Sequence, residues 1–187
     1  MITLPLGGQK IVIMFEDDDN NRKSHEEIRQ MPVYKKAWEI MELGRKIGSL
    51  ISREDIEKGE GTEGLMLEEC ARYIVENALI IPAKISGAEG ADLYDIKMEN
   101  AAIIRRAARE LLTNTGGLEM LGYPNPDYLQ LLRDEIEEFR VLFAEWVKTF
   151  DQWNYIIDRW GLFNPPGINY DDHDPDDDIP FDPEQDR

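Results

Sequence analysis

The chain has 187 residues, of which 42% are hydrophobic and 32% charged, enough for one helical domain with a single core plus polar ends. Its formal net charge of −18 argues against a surface built to grip a phosphate backbone, because such binding rests on Lys and Arg displacing counterions. A single cysteine, Cys70, excludes an intramolecular disulfide and a multi-cysteine metal cluster, and fits a reducing compartment.

At the N-terminus, Gln9 to Phe15 (QKIVIMF) is a short β-prone run behind Gly7-Gly8, followed by the polar linker Glu16 to Lys23 (EDDDNNRK). This start lacks a basic segment leading into a long apolar core, and no stretch approaches the roughly 18 apolar residues of a membrane span. The expected location is cytoplasmic, with no membrane association.

Helix A is predicted from Met31-Pro32 to near Arg53, with Val33, Ala37, Ile40, Met41, Gly44, Ile47 and Ile51 recurring at helical spacing. After the Gly-rich loop Glu57 to Gly64, a second stripe runs through Leu65, Leu67, Cys70, Ile74, Ala78 and Ile81, and Pro82 is expected to kink or weaken helix B near its end. Helix C is predicted from about Asp92 to about Thr113, through Leu93, Ile96, Ala101, Ile104, Ala108 and Leu111. Gly116-Gly117 weakens its continuation to Leu121, since each Gly costs a helix about 1 kcal/mol relative to Ala.

Beyond the Pro124-Asn125-Pro126 turn, Leu129, Leu132, Ile136, Phe139, Phe143, Trp146, Phe150, Trp153, Ile157 and Trp160 alternate three and four apart. This pattern predicts one helix D of roughly 50 Å, at 1.5 Å per residue, whose far end overhangs its neighbours. Trp146, Phe150, Trp153, Ile157 and Trp160 are then the candidate oligomer or partner contacts. Gly161 and Pro165-Pro166-Gly167 stop the helix, and Asp171 to Arg187 reads as a disordered acidic tail interrupted by Ile179-Pro180-Phe181. From Tyr170 to Arg187 there are nine acidic residues and one basic, so the tail carries −8 and the remainder −10.

The expected architecture is all-α: an antiparallel up-and-down four-helix bundle over 31–163 with a long C-terminal helix, a short N-terminal arm and linker over 1–30, and an acidic tail over 164–187. Ile81 to Gly90 (IPAKISGAEG), Tyr94 to Leu112 (YDIKMENAAIIRRAARELL) and the later Leu121-Gly122-Tyr123 step resemble, in order and spacing, the four-helix bundle superfamily of 23S ribosomal RNA intervening-sequence proteins. That superfamily includes the accessory variability protein of diversity-generating retroelements. The resemblance covers about two thirds of the chain, from Val33 to Phe150. It implies a homo-oligomeric ring, commonly a pentamer, with a protein partner such as a reverse transcriptase, and nucleic-acid binding through a positive surface. This chain departs from the family in being acidic, in its extra ends and in its longer last helix.

No catalytic, cofactor-binding or metal-binding set emerges. His25 and His173 fall in polar segments at either end, and no Glu-x-x-His pair of a di-iron bundle is present. Asp134-Glu135-Ile136-Glu137-Glu138 distantly resembles the acidic helix of all-α nucleotide pyrophosphohydrolases, which hold Mg²⁺, but Arg72 follows Glu68-Glu69 where a further carboxylate is wanted. The Asp171 to Asp178 run lacks the Gly and Glu of an EF-hand loop. The one positive feature is Lys97, Arg105 and Arg109 at multiples of four on one face of helix C, with Arg106 beside them and Lys84 upstream. It reads either as a contact strip for nucleic acid or an acidic partner, or as a set of intramolecular pairs with carboxylates such as Glu99 and Glu110.

Overall fold

The computed structural model describes residues 2–6, 9–13, 23–58 and 62–173. The polar linker, for the most part, and the acidic run from 174 onward lie outside the described residues. The β-prone run is the second strand of a hairpin: β1 (Ile2–Leu6) pairs antiparallel with β2 (Gln9–Ile13), Ile2 opposite Ile13. From Ser24 onward the described chain is helix and turn.

Six helices follow among the described residues: α1 (His25–Gln30), α2 (Pro32–Ser49), α3 (Arg53–Lys58), α4 (Glu63–Glu89), α5 (Tyr94–Met120) and α6 (Pro126–Val147). A capping box starts α1: Ser24 Oγ accepts the Glu27 N–H, and the Glu27 carboxylate accepts the Ser24 N–H at 2.8 Å. These bonds hold the Glu27 carboxyl below its ordinary value. Ile28 is buried, so residues 24–30 belong to the helical body and not to an arm.

The four long helices each pack on two others: α4 on α2 and α5, and α6 on α2 and α5. Their buried residues keep three-and-four spacing. Ala71, Ile74, Ala78, Ile81, Ile85 and Ala88 face inward from α4, and Ile104, Leu111 and Leu118 from α5. Gly44 lets α2 approach α4 closely, since a Cβ there would stand 2.7 Å from Ala78 Cβ. Despite Pro82, α4 continues for another seven residues, and Pro82 itself is buried. Likewise α5 runs through Gly116-Gly117 to Met120, where Thr115 and Leu118 are fully buried. Tertiary burial offsets the weak local propensity of both stretches.

The Leu121-Gly122-Tyr123 step is a helix stop. Gly122 takes the left-handed conformation (φ 73°), and the Tyr123 N–H returns to the Leu118 carbonyl at 2.9 Å, closing a Schellman turn. Tyr123 is buried, and its hydroxyl donates to the Ile47 carbonyl at the end of α2 at 3.1 Å. Burial, then the nearby Tyr128, raises the Tyr123 pKa to about 12.

The long helix D is where the structure departs most from expectation: α6 ends at Val147. Polar side chains downstream bond to local backbone and compete with helix continuation. Thr149 Oγ1 donates to the Trp146 carbonyl at 2.7 Å, and Asp151 Oδ1 accepts the Trp153 N–H at 2.9 Å. The chain then folds back onto the start of α5. Asn154 accepts the Tyr94 N–H at 2.7 Å through its carbonyl and donates to the Asp92 carbonyl at 3.3 Å through its side chain. Seam positions Phe150 and Ile157 are thus buried by a turn-rich cap rather than by an overhanging helix.

Candidate functional site

Two surfaces stand out. The first is the cap that follows α6. Asp158 organises it by accepting the backbone N–H groups of Trp160 (2.8 Å), Leu162 (2.8 Å) and Phe163 (3.0 Å). Those donors hold its carboxyl below the ordinary value, led by the Trp160 N–H. Arg159 Nη1 donates to the carbonyls of Tyr170 (2.9 Å) and Asp172 (2.8 Å), so structure extends into the region expected to be tail. On this backbone Trp153 is 91% and Trp160 89% exposed, with Ile156 and Leu162 also open to solvent.

Of the five aromatic and aliphatic residues singled out as contacts, only Trp153 and Trp160 face outward. Trp146, Phe150 and Ile157 are buried within the chain, which corrects their assignment as contacts. Trp146 and Phe150 stack edge-to-face with centroids 4.8 Å apart. The Trp146 indole N–H donates to Glu89 Oε1 at 2.5 Å, and Glu89 Oε2 accepts from Lys23 Nζ at 2.7 Å. Glu89 is 4% exposed, so this buried carboxylate joins the end of α4 to α6 and to the segment before α1. Sequence reasoning passed over Glu89; its signal was a lone carboxylate closing an otherwise small and apolar helix end.

The second surface is a groove of about 480 Å³ between α5 and α6. Phe139, Phe143 and Val147 form its apolar side, and Arg105, Arg109 and Arg140 stand along it. Arg140 pairs with Glu137 at 2.9 Å, whereas Arg105 and Arg109 make no ion pair among the described residues. The basic strip therefore divides. Arg106 is bound to Glu110 at 2.7 Å, as the intramolecular reading expects, and this contact lowers the Glu110 pKa. Lys97 lies over the Phe150 ring, 5.7 Å from its centroid, at the junction of α5 and the cap. Lys84 is half-buried on α4.

The acidic stretch of α6 is occupied by neighbours. Glu135 and Glu138 bind Lys36 of α2 at 2.6 and 2.8 Å, with Glu39 joining at 2.8 Å, while Asp134 accepts from Gln130 at 2.8 Å. Burial pulls the Lys36 pKa down, but the hydrogen bonds from the three carboxylates outweigh it and hold the ammonium charged. Glu69 and Glu76 engage Arg72 at 3.5 and 2.6 Å. Among the described residues no group of three His, Cys, Asp or Glu side chains is arranged to hold a metal ion. No helix among them is long and apolar enough to cross a membrane. Comparison with family models, curated proteins and solved structures finds no match to this chain.

Proposed function

We propose that this chain is a non-enzymatic interaction protein of the cytoplasm, whose α2, α4, α5 and α6 form an antiparallel up-and-down four-helix bundle that self-associates and binds a protein partner. The short links between α4 and α5 and between α5 and α6 support the antiparallel order. A ring, pentameric in the manner of the 23S ribosomal RNA intervening-sequence superfamily, is the assembly the sequence resemblance favours. The carrying observation is the cap: Trp153, Ile156, Trp160 and Leu162 are all solvent-exposed within ten residues, with Asp158 holding the Trp160 and Leu162 amides and Asp151 the Trp153 amide. Tryptophan is costly to leave in water and is enriched at interface hot spots. Sedimentation velocity tests this reading. The wild-type chain is expected to sediment at several times 21.7 kDa, and Trp153→Ser/Trp160→Ser to sediment as a smaller species. A wild-type monomer at micromolar concentration refutes it.

A second reading, a nucleic-acid accessory factor acting with a reverse transcriptase, is favoured by the exposed guanidiniums of Arg105 and Arg109, which no described carboxylate neutralises. It expects retention of structured RNA or DNA at about 50 mM salt that falls steeply as salt rises. Absence of retention at that ionic strength removes it.

A further inference from the structure

We propose that the α5/α6 groove is the docking site of this chain's own acidic C-terminal segment, with Ile179-Pro180-Phe181 on its apolar side and the flanking aspartates against Arg105 and Arg109. Three observations carry this. First, the groove joins two chemistries: the half-buried Phe143 and Val147 offer apolar surface, and beside them stand two guanidiniums without ion-pair partners among the described residues. Second, the segment has the matching order, an apolar triplet between Asp176-Asp177-Asp178 and Asp182. The other apolar terminal stretch, residues 2–13, contains Lys10 and no acidic residue, so its charge suits the arginines poorly.

Third, the segment leaves the fold from the cap, which follows α6 and meets the start of α5, the two helices that wall the groove. Arg159 holds the carbonyls of Tyr170 and Asp172, and the neighbouring Ile156 N–H meets Asp95 in the first turn of α5 at 3.5 Å. Arg105 lies ten residues further along α5, about 15 Å at helical rise. The six residues from His173 to Ile179 span up to about 20 Å when extended. A tether this short gives the segment an effective concentration on the order of millimolar, so that even a weak contact is populated. Docking would also place acidic charge where the basic strip is open, withholding Arg105 and Arg109 from other anions.

The test uses the full chain and a fluorescent synthetic peptide of residues 174–187. In Ile179→Ser/Phe181→Ser the tethered competitor is disabled, and the peptide is expected to bind at least about tenfold more tightly than to wild type. Adding Arg105→Ser/Arg109→Ser should abolish that binding, with helical circular dichroism unchanged. Equal affinity for wild type and the tail variant, no binding to either, or binding indifferent to the arginines overturns the proposal. A second measurement is independent of affinity: Cys70→Ser/Ala144→Cys/Asp182→Cys should close an intrachain disulfide on mild oxidation. Failure to form it, or its formation only between chains, also overturns docking in cis.

Discussion

Removal of the Glu89 carboxylate probes the tie between α4, α6 and the start of the helical body. In Glu89→Ala the Trp146 indole N–H loses its acceptor inside the core, which costs about 1–3 kcal/mol. Lys23 is 46% exposed and turns to solvent, so its ion pair counts for no more than about 1 kcal/mol. The variant also no longer desolvates a carboxylate, which works in the opposite direction. The net expectation is a loss of about 2 kcal/mol, or a fall in Tm of about 4–8 °C for a domain of this size. Urea and thermal unfolding of Glu89→Ala, Trp146→Phe and the double variant form a cycle whose coupling energy isolates the hydrogen bond. Glu89→Gln keeps an acceptor for the indole and should lose less than Glu89→Ala. A Glu89→Ala chain within about 0.5 kcal/mol of wild type refutes the reasoning, because a buried indole N–H would then have tolerated losing its acceptor.

Three further outcomes follow from the geometry. Gly116→Ala, with nothing within 4 Å of the added Cβ, should stabilise by up to about 1 kcal/mol, while Gly117→Ala meets Cys70 Sγ at 3.2 Å and should gain less in the same melt. Gly44→Ala, which forces a Cβ to 2.7 Å from Ala78 Cβ, should cost about 1–3 kcal/mol. The folded Asp158 carboxyl sits below its ordinary 3.8, so its contribution is present above that pH and is lost as pH falls through the lowered value. Protection factors of the Trp160, Leu162 and Phe163 amides should accordingly fall only as pH drops through that lowered value, and Asp158→Ala should show the lower protection already at neutral pH. Burial, with Glu69 beside it, raises the Cys70 thiol pKa, so the midpoint of its pH-dependent alkylation should lie above 9.0; a midpoint at or below that value contradicts the packing around α4.

The helical seams were legible because burial along most of α2, α4 and α5 follows three-and-four spacing; Leu65 (63% exposed) and Ile96 (37% exposed) belong to the predicted stripes and lie outside the buried ones. The same rule misled at the C-terminus. Phe150, Trp153, Ile157 and Trp160 continue the spacing, yet Thr149, Asp151, Asn154 and Asp158 bond to backbone and turn the chain away. Apolar periodicity reports which residues seek burial; it does not report local polar competition for the backbone. Ile157 reaches the core by the folded-back route, and Trp153 and Trp160 do not reach it at all. The basic strip was visible as a spacing, but its division between a paired Arg106 and an open Arg105 and Arg109 depends on which side of α5 faces α6. Glu89 escaped notice because its partners lie 57 and 66 residues away in the chain.

The most direct test of the proposed self-association is oxidative footprinting of the tryptophans in the assembly it expects. Trp153 and Trp160 should be protected there and react freely in a dissociated, still folded chain, with Trp146 shielded in both. Reaction of Trp153 and Trp160 at the same rate in the two states would contradict the assignment of the cap as the contact surface.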